Sequence, residues 1–353
     1  MLLDVVKIFV PLTISFLVGI AITPALSDYL YRNKMWKKKN VPKAMDGGSA
    51  PLSALLHNDE ERKTPRMGGV VVWGSVLITT LLFWLFAALF PETVAAKFSF
   101  LSRNQTWLPL FSLLAASLVG LVDDLLQVQE RGGGVGGGLS ATKRIGAVLL
   151  IGLIGALWFY YKLSVSTISV PFLHDIDIGL LFIPFFMIVM LGLFSGGVID
   201  GLDGLSGGVF ASMFAAYAGI AFVQQQIDIA AFCAVLVGGI LAFLWFNIPP
   251  ARFFLSETGT LGLTVTLAVI AFLTDAVLVL ALIAFPLWIE SASSIIQMLS
   301  KRFRNGKKVF LVAPIHHHFQ ALGWPATKVV MRFWVVSIVF SVGGMVLAVI
   351  GKL

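Results

Sequence analysis

The sequence predicts an all-α polytopic membrane protein of about ten transmembrane helices, with both termini outside. Three observations predict it. The 353 residues are 58% hydrophobic and only 12% charged, whereas soluble domains are about 45–50% apolar and about 25% charged. The mean hydropathy is +0.94, an excess that a water-soluble core cannot absorb. Apolar runs close to the roughly 20 residues that cross a bilayer recur from one end of the chain to the other. They lie near 6–26, 68–90, 108–127, 145–163, 178–198, 206–223, 229–247, 258–274, 276–298 and 329–350. Together they make a single integral membrane domain over 1–353, and no internal repeat stands out.

The first run reads as a retained span rather than a cleaved leader, because Asp4 and Lys7 head it and its positive cluster follows it. The connections then fix orientation. Those at 27–67, 128–144, 199–205, 248–257 and 299–328 carry 9, 3, 0, 1 and 6 Lys/Arg, so one side holds 19 of the 25. The other side has Lys7, Lys97, Arg103, Lys162 and Lys352, while Arg332 falls inside the last run. Cytoplasmic loops carry the excess of Lys and Arg, so the five charged connections are expected in the cytoplasm. The net charge of +7 follows from the same bias. It points to membrane orientation and to anionic ligands, with no nucleic-acid partner expected. The single cysteine, Cys233, lies within an apolar run and cannot form an internal disulfide.

Taken along the chain, the polar groups collect at the cytoplasmic ends of the runs. "GLVDDLLQV" places Asp123 and Asp124 late in the third run, and ionisable groups at membrane depth are costly and usually functional. Adjacent carboxylates repel, which favours a bound cation or a raised pKa. "ERGGGVGGGLSATKR" holds six glycines and reads as a flexible linker rather than a phosphate loop, since such loops need a strand before them. "GGVIDGLDGLSGG" sets Asp200 and Asp203 three apart, on one face of a helical turn. Oxygen ligands of this kind suit Mg²⁺ completed by substrate phosphates. In "FNIPPARFFLSETGTLG", Asn247 can bond a base or sugar and Phe254 can stack on a flat ring. Glu257 is either a metal ligand or a helix N-terminal acid. "VAPIHHHFQALGW" carries His316, His317 and His318. Consecutive helical residues point about 100° apart, so the three cannot share one ion. Phosphate or sugar oxygens are the expected partners, and zinc is not.

These motifs together resemble the polyprenyl-phosphate N-acetylhexosamine-1-phosphate transferases. The resemblance runs through "KTPRMGG", "VDD", "VPFLHD", "IDGLDGLSGG", "FLWFN", "IESASSIIQ" and "GKKVFLVAPIHHHF", and it covers nearly the whole chain. The histidine triplet points to the branch that handles muramoyl-pentapeptide. The resemblance implies a Mg²⁺-dependent phosphoglycosyl transferase in the bacterial inner (plasma) membrane, multi-pass, with its site facing the cytoplasm. It also implies a homodimer. The expected substrates are UDP-N-acetylmuramoyl-pentapeptide and a polyprenyl (undecaprenyl) phosphate in the membrane lipid, and the expected product released is UMP. By the same resemblance Asp123 is the candidate base and Asp124 its paired aspartate. Asp200 and Glu257 lie at the metal. Asp203, Asn247, Phe254, Glu290 and His316–His318 contact substrate. The chain departs from the family pattern at Phe194, Gly197, Glu257, Gln127 and Glu61, which stands where a lysine is usual; Lys63 or Arg62 is expected to take that lysine's task. Two other readings stay open: a transferase for another UDP-N-acetylhexosamine or an inactive homologue, and a secondary transporter.

Overall fold

The computed structural model describes residues 2–37, 63–102, 106–134 and 137–352. In chain order its helices are α1 (Leu2–Arg32), α2 (Gly69–Leu89), α3 (Trp107–Gln129), α4 (Ala141–Leu157), α5 (Phe182–Ser195), α6 (Leu205–Val223), α7 (Ile227–Asn247), α8 (Ser256–Leu273), α9 (Leu280–Ile283), α10 (Phe285–Phe303), α11 (Ile315–Ala321) and α12 (Ala326–Ile350). A two-stranded antiparallel hairpin, Thr167–Ile168 with Ile176–Asp177, is the sheet among the described residues. The chain is therefore all-α in its architecture. Nine helical segments among the described residues are long and apolar enough to cross a membrane.

The predicted span at 276–298 is built differently from the other nine. The chain breaks into α9 and then α10, with a proline in the first turn of α10. The polarity of α10 is inside out. Glu290, Ser291, Ser293, Ser294, Gln297 and Ser300 are buried, while Ile295, Ile296, Leu299 and Phe303 are exposed. Polar groups face the bundle and apolar groups face outward, as a membrane solvent requires. The chain nevertheless returns along this segment, because α8 leaves the Glu257 end at Leu273 and α10 carries Gln297 back to bond Phe310 O at 2.7 Å.

α7 and α8 form the centre of the bundle, and α1 and α12 present most of their surface outward. α3 packs along α8, α1 along α7, and α12 along α6. Between membrane helices, close van der Waals contact and cross-helix hydrogen bonds supply the association. Glycines set that closeness. A Cβ on Gly120 of α3 would lie 2.1 Å from Glu257 O, and one on Gly238 of α7 would lie 2.3 Å from Leu12 O. Ser15 Oγ donates to Val235 O at 2.8 Å, Tyr217 OH to Ala276 O at 3.1 Å, and Trp334 Nε1 to Gly204 O at 3.0 Å. Each such bond contributes about 0.6 kcal/mol in a membrane protein.

Both termini lie at one end of this bundle. Lys7 pairs with Asp228 at 2.6 Å, and Lys352 with Asp275 at 3.2 Å. Gln224, four residues before Asp228, donates to Thr274 O at 2.9 Å. The hairpin belongs to the same end, where Phe172 N donates to Gly351 O at 2.9 Å. Asp123, Asp124, Asp200, Glu257 and His316–His318 occupy the opposite end.

Candidate active site

The site begins at the first turn of α8, whose backbone N–H groups have no partner inside the helix. Ser256 enters at φ 58°, a left-handed value that a non-glycine residue keeps only where its surroundings fix it. Its N–H donates to Asp200 Oδ2 at 2.7 Å. The Thr258 N–H and hydroxyl both donate to Asp124 Oδ2, at 2.9 and 2.7 Å. Two carboxylates from distant stretches of sequence thus terminate one helix, where the macrodipole favours negative charge. Glu257 sits between those two contacts and turns its carboxylate to Arg144 Nη1 at 2.6 Å.

The cations come from elements on either side. Arg66 Nε donates to Asp124 Oδ1 at 2.9 Å, and Asp124 is fully buried. Arg66 is held by backbone pairing: Phe254 N to Pro65 O at 2.9 Å, Gly68 N to Phe254 O at 2.8 Å, and Arg66 N to Met35 O at 2.9 Å. The last bond brings Lys37 into the cluster. Burial pushes the Lys37 ammonium down to about 8 and Arg66 adds repulsion, while Asp124, Glu257 and Asp123 pull the other way. Asp200 Oδ1 accepts from Ser206 at 2.7 Å.

Asp123 is buried and both its oxygens accept hydrogen bonds, Oδ1 from Leu139 N and Oδ2 from Gln127 Nε2. Leu139 closes the glycine-rich tract. Its described residues fold back on themselves, with Gly132 N bonded to Gly137 O at 2.8 Å and Gly134 N to Gly138 O at 2.9 Å. A Cβ on Gly138 would lie 2.5 Å from Asp123 Oδ1, so a larger residue cannot make this approach. The tract reads as a linker in the sequence, yet its end is fastened to a site carboxylate. It delivers Arg144 to Glu257, and Arg144 Nη1 also lies 3.9 Å from Asp123 Oδ2.

The histidines diverge, as helical spacing requires. His316 Nδ1 lies 2.8 Å from Glu290 Oε2, and both side chains are fully buried. His317 Nδ1 lies 2.7 Å from Gln320 Oε1, and His318 Nδ1 accepts from Leu311 N at 3.2 Å. His316 and His317 both abut Gly201, where a Cβ would fall 2.3 Å from His316 Nε2 and 3.1 Å from His317 Nε2. Gly201 follows Asp200, so the histidine motif and the carboxylate cluster meet across one glycine.

The remaining predicted residues are placed less uniformly. Asn247 is buried, accepts from Gly204 N at 2.8 Å and donates to Phe253 O at 2.9 Å. Its amide ties the start of α6 to the loop that carries Phe254. Asp203 Oδ2 accepts from Ala251 N at 3.0 Å on the same loop. Phe254 is half-buried, whereas Phe253 beside it is fully enclosed. Lys63 is exposed, and Glu61 and Arg62 lie outside the described residues. Arg144 and Lys37 carry no sequence motif. Arg144 did leave one signal, since a cation in the first turn of a helix opposes the macrodipole and needs a partner.

Among the described residues no three His, Cys, Asp or Glu side chains converge on one point, so there is no closed metal cage of the zinc type. The donor set is carboxylate oxygen. That chemistry fits Mg²⁺, which is typically held by one or two carboxylates together with substrate phosphates and water.

The Glycosyl transferase family 4 model matches residues 106–275, a stretch that holds every carboxylate of the cluster. The chain is 31% identical over 338 residues to a phospho-N-acetylmuramoyl-pentapeptide-transferase of Anoxybacillus flavithermus, covering 95% of this chain and 96% of the relative. A protein of the same name from Geobacillus is 34% identical over 346 residues, with 95% and 96% covered. One from Listeria monocytogenes is 35% identical over 289 residues, with 81% and 84% covered.

Proposed function

Because the chain belongs to glycosyl transferase family 4, in the group of the phospho-N-acetylmuramoyl-pentapeptide-transferases, we propose that it moves phospho-N-acetylmuramoyl-pentapeptide from UDP to a polyprenyl phosphate. A phosphate oxygen of the lipid attacks the sugar-linked phosphorus of the donor. The bond from that phosphorus to the bridging oxygen breaks, and UMP leaves with the oxygen. One phosphoanhydride replaces another, so the protein must chiefly position two anions and offset their charge. The observation that carries this reading is the gathering of Asp123 and Asp124 of α3, Glu257 of α8 and Asp200 of the turn before α6 at one end of the bundle, with Arg66 bonded to Asp124 and Arg144 to Glu257. A transporter site would sit near the midplane on broken helices, whereas these groups lie at one end of the bundle.

The roles follow from the contacts. Glu257 and Asp200 are the residues that would hold Mg²⁺, which when bound offsets charge on the diphosphate and on departing UMP. Asp124 locks the first turn of α8 and so fixes where Glu257 stands. Asp123, oriented by Leu139 and Gln127, is the group for a proton on the lipid phosphate. Phe254 offers its half-buried ring to uracil, with Asn247 and Asp203 shaping its loop. Glu290 orients His316, and His317 and His318 complete the sugar side. The excess of Lys and Arg in the connections at 27–67, 128–144, 199–205, 248–257 and 299–328, 19 of 25 by sequence, supports a cytoplasm-facing site in the bacterial inner membrane with both termini outside. The resemblance supports a homodimer.

The test is UMP release by the purified protein in liposomes supplied with UDP-N-acetylmuramoyl-pentapeptide, polyprenyl phosphate and Mg²⁺. Release that needs all three is expected. No release from any UDP-N-acetylhexosamine, with solute uptake instead, would overturn the reading.

A further inference from the structure

We propose that Lys37 binds phosphoryl oxygens of an anion entering the carboxylate cleft. The inference begins with charge. Asp123, Asp124, Asp200 and Glu257 crowd one end of the bundle, and an incoming phosphate is repelled by all of them. Arg66 is committed to Asp124 and Arg144 to Glu257, so each of those charges is already answered. Lys37 lies in the same field, interacting with Asp123, Asp124, Glu257 and Arg66. Among the described residues its side chain forms no hydrogen bond or ion pair, so its three N–H donors remain to be used.

The backbone shows that this placement is built. α1 ends at Arg32, Lys34 takes φ 51°, and Met35 N bonds back to Leu30 O at 3.0 Å. The turn sends the chain across to Arg66, whose N–H meets Met35 O at 2.9 Å. Tyr31 OH donates to Arg252 O at 3.0 Å, tying the same turn to the loop of Phe254. Lys37 is thus anchored from both walls of the cleft and is half-buried, while Lys34 and Lys63 point to solvent. The task that the sequence suggests for Lys63 belongs to Lys37.

This deepens the phosphoryl-exchange reading and rests on it for the anion's identity: the nucleotide diphosphate or the lipid phosphate. Isothermal titration of the detergent-solubilised full chain with UDP and, separately, with a polyprenyl phosphate distinguishes them. A charge-assisted hydrogen bond contributes enough that Lys37→Met should weaken one probe by about 10–100-fold. Lys37→Arg should restore most of the affinity, and Lys34→Met should bind both probes like the parent protein. The weakened probe names the source. Parent-like binding of both probes by Lys37→Met overturns the proposal, as does equal weakening by Lys34→Met or no recovery in Lys37→Arg. UMP release is measured in parallel. A parent protein that releases none, while Lys37→Met still loses affinity, removes the reaction and leaves the site.

Discussion

The carboxylate cluster and the histidine cluster meet at Gly201 but are held in opposite ways. Asp124 is gripped by a guanidinium, a backbone N–H and a hydroxyl from two separate segments, and Asp200 by a backbone N–H and a hydroxyl. His316 is oriented by one buried carboxylate, while His317 and His318 lean on neighbours three and seven residues away. One half of the site is over-determined from distant parts of the chain, and the other is assembled largely from its own loop. The difference teaches where damage spreads. In the first half, losing a partner leaves a buried charge exposed to low dielectric. In the second, that holds only for the buried His316–Glu290 pair, while losing a partner of His317 or His318 frees a local side chain.

The strongest way to break this comparison is Arg66→Met, which strands Asp124 in full burial. Stranding one member of a buried ion pair costs about 3–5 kcal/mol, so a large fall in the thermal midpoint in detergent is expected. Arg66→Met combined with Asp124→Asn should recover part of it. A midpoint equal to the parent's would show that the two halves are equally loosely held.

Gly201→Ala comes next, because it drives a methyl into His316 across the junction. Overpacking costs about 1–3 kcal/mol, and removing the ring with His316→Ala should relieve most of that. Additive losses in the double variant, read from unfolding midpoints, would show that the halves do not touch in solution.

Within the carboxylate half, Glu257→Gln keeps shape and removes charge. The expected result is roughly a tenfold or greater fall in Mg²⁺-dependent UMP release, about the effect of losing 1.4 kcal/mol or more. Full turnover with an unaltered Mg²⁺ requirement would place the cation elsewhere. The smallest effect belongs to His318→Ala, which loses one hydrogen bond accepted from Leu311 N, worth about 1 kcal/mol. A stability loss as large as that of Arg66→Met would erase the distinction between the halves.

The same contrast explains what could be read from the sequence. Nine spans were legible because their apolar runs are unbroken. The segment at 276–298 was legible as a crossing but not as a broken, inside-out helix, since burial of Ser291, Ser293 and Ser294 depends on which neighbours surround them. The motifs located Asp123, Asp124, Asp200, Glu257 and the histidines, because their spacing within a greasy chain is conspicuous. They did not reveal that Asp124 and Asp200 terminate α8, because those contacts join residues 134 and 56 positions apart. Lys37 was illegible among Lys38 and Lys39, for only the turn after α1 singles it out. The glycine tract read as a tether because composition is silent about Leu139 N finding Asp123.

The inverted polarity of α10 bears on how the chain is made. Charged residues at a helix centre cost about 2.5–3.5 kcal/mol in translocon-mediated insertion, and Glu290 is accompanied by four serines and a glutamine on its buried side. α10 is therefore a poor substrate for insertion by itself. The partners of its polar face include Ser195 of α5, synthesised before it, whose Oγ lies 2.8 Å from Ser291 Oγ, and His316 of α11, synthesised after it, which meets Glu290. Biogenesis must hold α10 at the membrane surface or beside earlier helices until α11 emerges, so the histidine segment that follows α10 is what lets its buried carboxylate settle.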